Sequence, residues 1–237
     1  MKKNTMMRLA SGLLVAVLLS TCAISGTFAK YVTSDNGSDS ARVAKWGVVV
    51  AAKDFDMFKA DYDTTDTTLF SGSSSVSAAA DDRDDVLAPG TSGSFADISI
   101  TGTPEVAVNV VITPTVTVSD NWTVDGAFYC PVIITVGGTK FCGLDYGSAA
   151  SFADAIAANI AGKSAVYGPN TNLANYYNNT NLDISWEWAF TNVEHSTAHN
   201  TCTGLQTDVK DTALGDAAVS ADLTISIGIE ISVTQVD

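Results

Sequence analysis

The chain of 237 residues contains few histidines and few basic residues. It has only two histidines, and its 12 lysines and arginines are outnumbered by 26 acidic residues, which gives a net charge of −14. A strong negative field repels nucleic acids and anionic membrane surfaces, so this balance argues against a nucleic-acid partner. Charged residues make up only 16% of the chain, and Thr, Ser, Asn and Val are abundant. That composition favours an extracellular β-protein over a cytosolic enzyme.

The sequence also lacks an apolar run long enough to cross a membrane, which needs roughly 20 residues. Its most apolar stretch covers residues 9–19 and follows three basic residues near the N-terminus. Small and polar residues come next. The pattern therefore predicts a secretory signal peptide over residues 1–29, cleaved between Ala29 and Lys30 by a signal peptidase.

Cleavage at this position would remove three positive charges and no acid, so a mature chain of 208 residues would carry a net charge of −17. A lipoprotein is the alternative, because residues 19–22 (LSTC) resemble a lipobox in which Cys22 becomes the lipidated first residue. Thr is a poor residue directly before such a cysteine, which favours simple secretion. We expect the protein in the extracellular matrix or at the cell surface.

Three cysteines would survive cleavage, so at least one of them has no intramolecular partner. Cys130 and Cys142 flank a Gly137-Gly138 turn, whereas Cys202 lies far along the chain. A hairpin centred on that turn would place Cys142 opposite Ile133, so a bridge from Cys142 to Cys130 would need a β-bulge. The pairing among the three cysteines stays open at this point.

Alternation of apolar and polar residues with a period of two predicts about eight β-strands between residues 41 and 237. The predicted strands cover residues 41–52, 75–78, 94–101, 105–118, 128–136, 139–142, 182–190 and 221–236. One helix is predicted over residues 151–161, because Phe152, Ile156 and Ile160 recur every fourth residue. These elements indicate an all-β fold: a two-sheet antiparallel jelly-roll sandwich over residues 41–237, with one inserted α-helix and long decorated loops.

Four aromatic residues have predicted places in the core of this sandwich. Trp46 lies on the apolar face of the first strand. Trp186, Trp188 and Phe190 alternate with polar or small residues in the strand over residues 182–190. A strict period of two on an apolar face favours core packing over an exposed platform for stacking sugars.

Turns and strand edges are indicated by glycine and proline. Residues 88–93 (APGTSG) predict a turn, and residues 211–215 (DTALG) predict a short helical turn capped by Gly215. Pro114 falls inside a long β-branched run. Because proline cannot donate to a β-ladder, that strand should be bulged or at an edge there.

Residues 30–40 have the composition of a flexible arm. These 11 residues include Gly37 and three serines and lack a pattern that could bury them. Fully extended, they could span roughly 36–40 Å. Tyr31 and Val32 are the apolar anchors at the end that cleavage would free. The arm could therefore add as a strand to an open sheet edge, or it could be a disordered tail.

Metal-binding and catalytic candidates are weak. His195 and His199 have the i, i+4 spacing of zinc ligands on a helix, but Ser196 stands where a zincin needs its glutamate, and Glu194 precedes His195 instead. The abundance of Thr, Asn and Ser argues against a helix there. Acidic clusters in residues 54–66 and 81–85 could offer oxygens to calcium but match no known spacing. We therefore expect neither catalysis nor a required cofactor, with zinc or calcium as alternatives.

Several stretches of the chain together resemble the TasA/camelysin family of secreted Firmicute proteins. They are residues 26–31 (GTFAKY), 41–47 (ARVAKWG), 88–91 (APGT), 102–106 (GTPEV), 185–188 (SWEW), 211–215 (DTALG) and 233–237 (VTQVD). The resemblance implies a jelly-roll domain, export through a dedicated signal peptidase, and assembly into extracellular fibres that scaffold biofilm. It also implies that the mature N-terminal segment, which begins with Lys30, Tyr31 and Val32, adds as a strand to the next subunit.

We therefore expect a secreted, non-enzymatic fibre subunit of a biofilm matrix. Its partners would be further copies of itself, with other matrix or cell-surface proteins as possible additions. Two alternatives stay open. One is a camelysin-like surface metalloendopeptidase, and the other is a monomeric surface adhesin or carbohydrate-binding module.

Overall fold

The computed structural model describes residues 7–17, 42–51, 57–62, 78–79, 85–95, 98–177, 179–192, 195–196, 199 and 202–236. The chain divides into two units, Met1–Val43 and Ala44–Asp237. In the first unit, residues 7–17 form a helix inside the predicted signal peptide. Of the helices that the structure describes, none combines the length and the apolar character that a membrane span requires.

Several predicted features lie outside the described residues. They are Cys22, Ala29, Lys30, Tyr31, Val32 and the rest of residues 30–40, together with Glu194 and most of the two acidic clusters.

The second unit consists mainly of β-strands, and every strand pair among its described residues is antiparallel, as the alternation predicted. The strands are β1 (Val49–Ala51), β2 (Asp61–Tyr62), β3 (Ala78–Ala79), β4 (Thr91–Phe95), β5 (Ser99–Thr101), β6 (Val108–Val118), β7 (Thr123–Val124), β8 (Ala127–Phe128), β9 (Ile133–Val136), β10 (Thr139–Cys142), β11 (Ala165–Tyr167), β12 (Ile184–Trp188) and β13 (Ile225–Gln235).

Two larger sheets provide most of the framework. One has four strands in the order β10-β9-β12-β4, and the other has three in the order β11-β6-β13. The pairs β1–β5, β2–β3 and β7–β8 form two-stranded sheets. Both larger sheets contribute side chains to one hydrophobic core, for example Ile112 of β6 and Trp186 of β12. The fold is therefore mainly β with its sheets packed around a shared core.

Among the described residues of the second unit, the α-helices with defined bounds are α1 (Ala149–Ala161), α2 (Asn179–Leu182) and α3 (Asp208–Ala218). The prediction of α1 is confirmed, with Phe152, Ile156 and Ile160 buried. The helix begins two residues earlier than predicted because the Ser148 side chain caps it by accepting a hydrogen bond from the backbone N–H of Ser151.

The predicted turn at residues 211–215 is wrong in extent. Thr207 caps an 11-residue helix there, and Gly215 lies inside α3 rather than past its end. Burial of Asp211 and Leu214 against the rest of the domain accompanies this helix. Tertiary contacts of this kind commonly override the roughly 1 kcal/mol helix penalty of a single glycine.

The predicted core position of Trp46 is also wrong. Its side chain is 40% exposed, and residues 42–48 have no regular structure. Gly47 has a φ of +55°, which interrupts an extended strand. The backbone of Lys45 instead bonds to Glu105, through both the main chain and the carboxylate of that residue. The first strand is therefore reduced to β1.

Other strand boundaries differ from the predictions by a few residues. The predicted turn at residues 88–93 ends at Gly90, and residues 91–93 already belong to β4. Trp186 and Trp188 are buried in β12 as predicted, which excludes an exposed stacking platform there. Phe190 lies beyond the end of β12 and is 44% exposed, so its predicted core position is wrong.

Pro114 lies at a strand edge, one of the two possibilities predicted for it. On one side β6 pairs with β13 along its whole length, whereas on the other β11 covers only Val108–Val110. Ile112 directs both its N–H and its C=O to the Ser164 hydroxyl, away from β13. Pro114 has the same parity, so its missing donor falls on the uncovered side and no ladder bond is lost.

A buried polar network joins α3 to the sheets. The Asp211 carboxylate accepts hydrogen bonds from the Tyr129 hydroxyl at 2.8 Å and from the Gln206 amide at 2.6 Å. The same Gln206 nitrogen donates to the carbonyl of Ala189 at 2.6 Å. Burial raises the pKa of Asp211 above its ordinary value, although the bonds from Gln206 and Tyr129 oppose that rise.

The raised pKa of Asp211 predicts a pH-dependent contribution to stability. The group stabilises the folded state fully below its unfolded pKa near 3.8, and this contribution is lost as the pH rises through the higher folded-state pKa. We expect the free energy of unfolding of the wild type, relative to Asp211→Asn, to decrease as the pH rises above 4. Urea unfolding at a series of pH values measures this difference in the free energy of unfolding. The free energy of unfolding of Asp211→Ala should differ from that of the wild type in its pH dependence in the same way. Parallel pH profiles for all three proteins would contradict the prediction.

The neighbours of Gly93 leave no room for a side chain at this position. A Cβ there would collide with the Met57 carbonyl oxygen and approach the Trp186 indole nitrogen to 2.7 Å, where these two groups share a buried hydrogen bond of 2.9 Å. We expect Gly93→Ala to lower the free energy of unfolding by about 2–4 kcal/mol. Gly215→Ala, in open space on α3, is the matched control and should gain about 0.5–1 kcal/mol. Equal stability of the two variants in urea would show that this contact is not as described.

Candidate functional site

The outer side of β13 is the longest unpaired strand edge among the described residues. In an antiparallel ladder, alternate residues direct their N–H and C=O groups toward the partner strand and away from it. The N–H of Ser119 bonds to the carbonyl of Thr224, and the N–H of Val236 bonds to the carbonyl of Ala107. Even-numbered residues of β13 therefore face β6. The residues whose backbone groups face outward are Ile225, Ile227, Ile229, Ile231, Val233 and Gln235.

A groove of about 280 Å³ lies beside the first residues of this edge, with apolar side chains on both sides and with Asp85, Thr224 and Ser226 also in its lining. One side of the groove is lined by Leu223, Ile225 and Ile227, at and just before the start of β13. The other side is lined by Phe58 and Leu87. A strand added along β13 would lay some of its side chains into this groove while its backbone paired with the outward groups. The geometry thus offers both the hydrogen-bonding edge and the apolar contacts that strand addition requires.

The edge of β13 carries little protection against pairing. Native edge strands usually contain proline, lysine, inward-pointing charges or bulges that prevent another chain from adding. Across its 11 residues β13 has one charged residue, Glu230, and no proline or lysine. Its register with β6 is continuous and has no bulge. A long, regular and nearly uncharged edge of this kind favours pairing with another strand.

The two histidine candidates have different neighbours. The Nε2 atom of His195 lies 3.5 Å from the sulfur of Cys142 and 3.9 Å from the sulfur of Cys202. The Nε2 atom of His199 instead lies 3.3 Å from the carbonyl oxygen of Lys140. The third candidate, Glu194, lies outside the described residues.

The backbone around His195 is helical, so the prediction against a helix is wrong. The N–H of His195 bonds to the carbonyl of Thr191, and the N–H of His199 bonds to the carbonyl of His195, both at 2.9 Å. The Ser196 hydroxyl donates to the carbonyl of Asn192 at 2.8 Å. Polar side chains here bond back to the preceding turn instead of opening it.

Cys142 and Cys202 form a disulfide, which resolves the pairing that the sequence left open. Cys142 pairs with Ile133 in the β9–β10 hairpin, as predicted from the Gly137-Gly138 turn. Cys130 is a free, fully buried cysteine, and burial raises the pKa of its thiol to about 12. A thiol with such a pKa is a poor nucleophile at neutral pH.

His195 is buried against this disulfide. Burial in the first place, and charge repulsion from His199 in the second, lower the pKa of His195 below its ordinary value. The negative charge of Asp145 and an interaction with the backbone carbonyl of Pro131 partly oppose this lowering of the pKa. The ring is therefore a neutral, oriented group at neutral pH, with a nitrogen facing two sulfur atoms.

Neither the open edge of β13 nor the Cys142–Cys202 disulfide was predicted from the sequence. The open edge of β13 depends on which strands become neighbours, a non-local property that alternation does not encode. The Cys142–Cys202 bridge spans 60 residues, and the parity argument showed only that a Cys130–Cys142 bridge would need a bulge, which left the pairing open.

The disulfide predicts a defined thiol count and a large stabilisation. In the chain-entropy model, closing a loop of 60 residues contributes about 4 kcal/mol. We expect the chain that begins at Lys30 to react at one thiol after unfolding, and at three only after reduction. Labelling followed by mass spectrometry measures the count, and urea unfolding with and without reductant measures the stabilisation. Cys130→Ala should abolish labelling without reductant. Three reactive thiols in the unreduced wild type would contradict the pairing.

Comparison of the chain with protein-family models, with curated proteins and with solved structures finds no significant match. The resemblance to the TasA/camelysin family therefore stays a prediction from the motifs quoted above.

Proposed function

We propose that this protein is a secreted structural subunit that assembles into extracellular fibres of a biofilm matrix by strand addition. In this proposal, residues 30–40 of one copy pair with the outer edge of β13 of the next. The sheets would then form a jelly-roll sandwich that is completed by the neighbour's strand. The observation that carries the proposal is the unprotected, 11-residue edge of β13 beside an apolar groove.

The lengths of the two proposed partners agree. Residues 30–40 number 11, as do the residues of β13. The outward backbone groups of six residues could form up to about twelve main-chain hydrogen bonds, at roughly 0.5–1.5 kcal/mol net for each. Either Tyr31 or Val32 would supply a side chain for the groove, because neighbouring residues of a strand face opposite sides of the sheet. A single added strand would therefore give each subunit a directional, repeatable link to the next.

Self-assembly also fits the charge and the predicted export. A subunit with a net charge of −17 would stay soluble before assembly. Signal cleavage would free the arm only outside the membrane, so an uncut precursor should not polymerise. Other matrix or cell-surface proteins would be additional partners, and no catalytic step is needed for this role.

The proposal predicts that a proline on the outer edge of β13 stops fibre growth, because proline on an edge both lacks the N–H and hinders the approach of another strand. The N–H of Ile231 faces outward, so Ile231→Pro should remove a donor without breaking the ladder to β6. We expect filaments of the wild-type chain beginning at Lys30 in electron micrographs and none with Ile231→Pro. Deletion of residues 30–40, or retention of residues 1–29, should give the same loss.

Ile231→Ala is the matched control, because it shortens the same side chain but keeps the N–H. It should still form filaments, and circular dichroism and thermal unfolding should show both variants folded. A peptide of residues 30–40 should slow growth of the wild type by occupying free edges. Filaments of a folded Ile231→Pro variant would overturn the proposed edge. A persistently monomeric wild type that hydrolyses casein and is stopped by a chelator would instead favour the metalloendopeptidase.

A further inference from the structure

We propose that Cys142, His195 and Cys202 form a zinc-binding site when the disulfide between the two cysteines is reduced. The ligand atoms of the three residues all lie within 4.8 Å of one another. This site shares only His195 with the histidine pair considered from the sequence. It would take a divalent, thiolate-preferring metal ion, of which zinc is the commonest with these ligand types.

The distances suit a tetrahedral metal ion. Zinc lies about 2.3 Å from a cysteine sulfur and about 2.0–2.1 Å from a histidine nitrogen, so two such ligands are separated by about 3.5 Å at the tetrahedral angle. The His195 Nε2 atom is 3.5 Å from the Cys142 sulfur and 3.9 Å from the Cys202 sulfur. Both nitrogen–sulfur separations are therefore close to those of a zinc site before any movement. Opening the bridge would need only the two sulfurs to separate.

The surrounding contacts would keep the ligands together after reduction. The Asp145 carboxylate accepts hydrogen bonds from the backbone N–H of Thr203 at 2.6 Å and from its hydroxyl at 2.8 Å. These bonds hold the residue after Cys202 beside the segment that follows Cys142. The N–H of Cys202 also bonds to the carbonyl of His199, which continues the helical turns that carry His195. The three ligands are thus positioned by contacts that do not depend on the disulfide.

The imidazole has the orientation that a metal ligand needs. The Nε2 atom of His195 faces both sulfurs, and the Pro131 carbonyl interacts with the same ring. An Nδ1–H directed to that carbonyl would leave the Nε2 lone pair facing the sulfurs. Two thiolates and a neutral imidazole would neutralise a Zn²⁺ ion, which suits the buried Cys142 and His195. Three protein ligands would leave a fourth position for water or another exchangeable ligand.

The chemistry requires a reductant, and a small thiol or phosphine would supply it. Reduction breaks the sulfur–sulfur bond and adds two electrons and two protons, which gives two thiols. Binding of Zn²⁺ then displaces those two protons and forms two zinc–sulfur bonds. The oxidised protein should therefore not use this site, and metal binding would report the redox state of the surroundings.

Titration of the full chain with Co²⁺ and Zn²⁺ tests this inference. We expect the chain reduced with a phosphine, which is removed before titration, to bind one Co²⁺ with the charge-transfer and d–d absorption of tetrahedral thiolate ligation. Zn²⁺ should displace the cobalt and raise the melting temperature of the reduced chain. The oxidised chain should show neither effect. His195→Gln should weaken zinc binding by more than about 100-fold, because the loss even of outer partners costs about 10–100-fold.

Cys130→Ala is the matched control, because it removes a thiol outside the cluster and should leave binding unchanged. Circular dichroism of each reduced variant establishes whether it is folded. A reduced wild type that binds no metal would overturn the inference even if a variant fails to fold. Binding that survives His195→Gln, or is lost in a folded Cys130→Ala variant, would overturn it as well. None of these outcomes bears on fibre formation, so the two proposals are tested separately.

Discussion

The ladder between β6 and β13 positions both the core side chains and the outer edge of its sheet. Eleven consecutive residue pairs join the two strands, from Val108 with Gln235 to Val118 with Ile225, and none is bulged. A single register therefore decides which side chains face the core and which backbone groups face outward. It places the missing donor of Pro114 on the uncovered side of β6, and it aligns the outward backbone groups of β13 in one row. Core packing and the proposed fibre contact follow from the same ladder.

Much of the fold could be predicted because its signals are local. Alternation with a period of two identified β12 and β13, and apolar residues at every fourth position identified α1. The Gly137-Gly138 turn predicted the correct register of the β9–β10 hairpin. The failures have tertiary causes. Trp46 follows the alternation of a core strand, but its neighbour Gly47 adopts a positive φ and the segment attaches to Glu105 instead. The helix α3 includes a glycine and becomes regular where Asp211 and Leu214 are buried.

The candidate sites were less predictable, because they depend on residues distant in sequence. The arm over residues 30–40 was indicated by composition, but nothing local distinguishes the outer edge of β13 from a central strand with the same alternation. His195 was noted for its spacing from His199, whereas its neighbours in space are Cys142 and Cys202. The polar sequence around it suggested a loop, and the helical turns there put its imidazole beside the disulfide. Both sites therefore required the three-dimensional arrangement.

The most direct test of the account is amide hydrogen exchange at single-residue resolution, compared between monomer and filament. In the monomer, the outward amides of Ile227, Ile229 and Ile231 should exchange rapidly. The amides of Ser226 and Glu230, which face β6, should be protected. In the filament, the outward amides should become as protected as their neighbours, because each would pair with the added strand. Outward amides that exchange equally fast in filament and monomer would contradict the claim that β13 receives a strand from the next subunit.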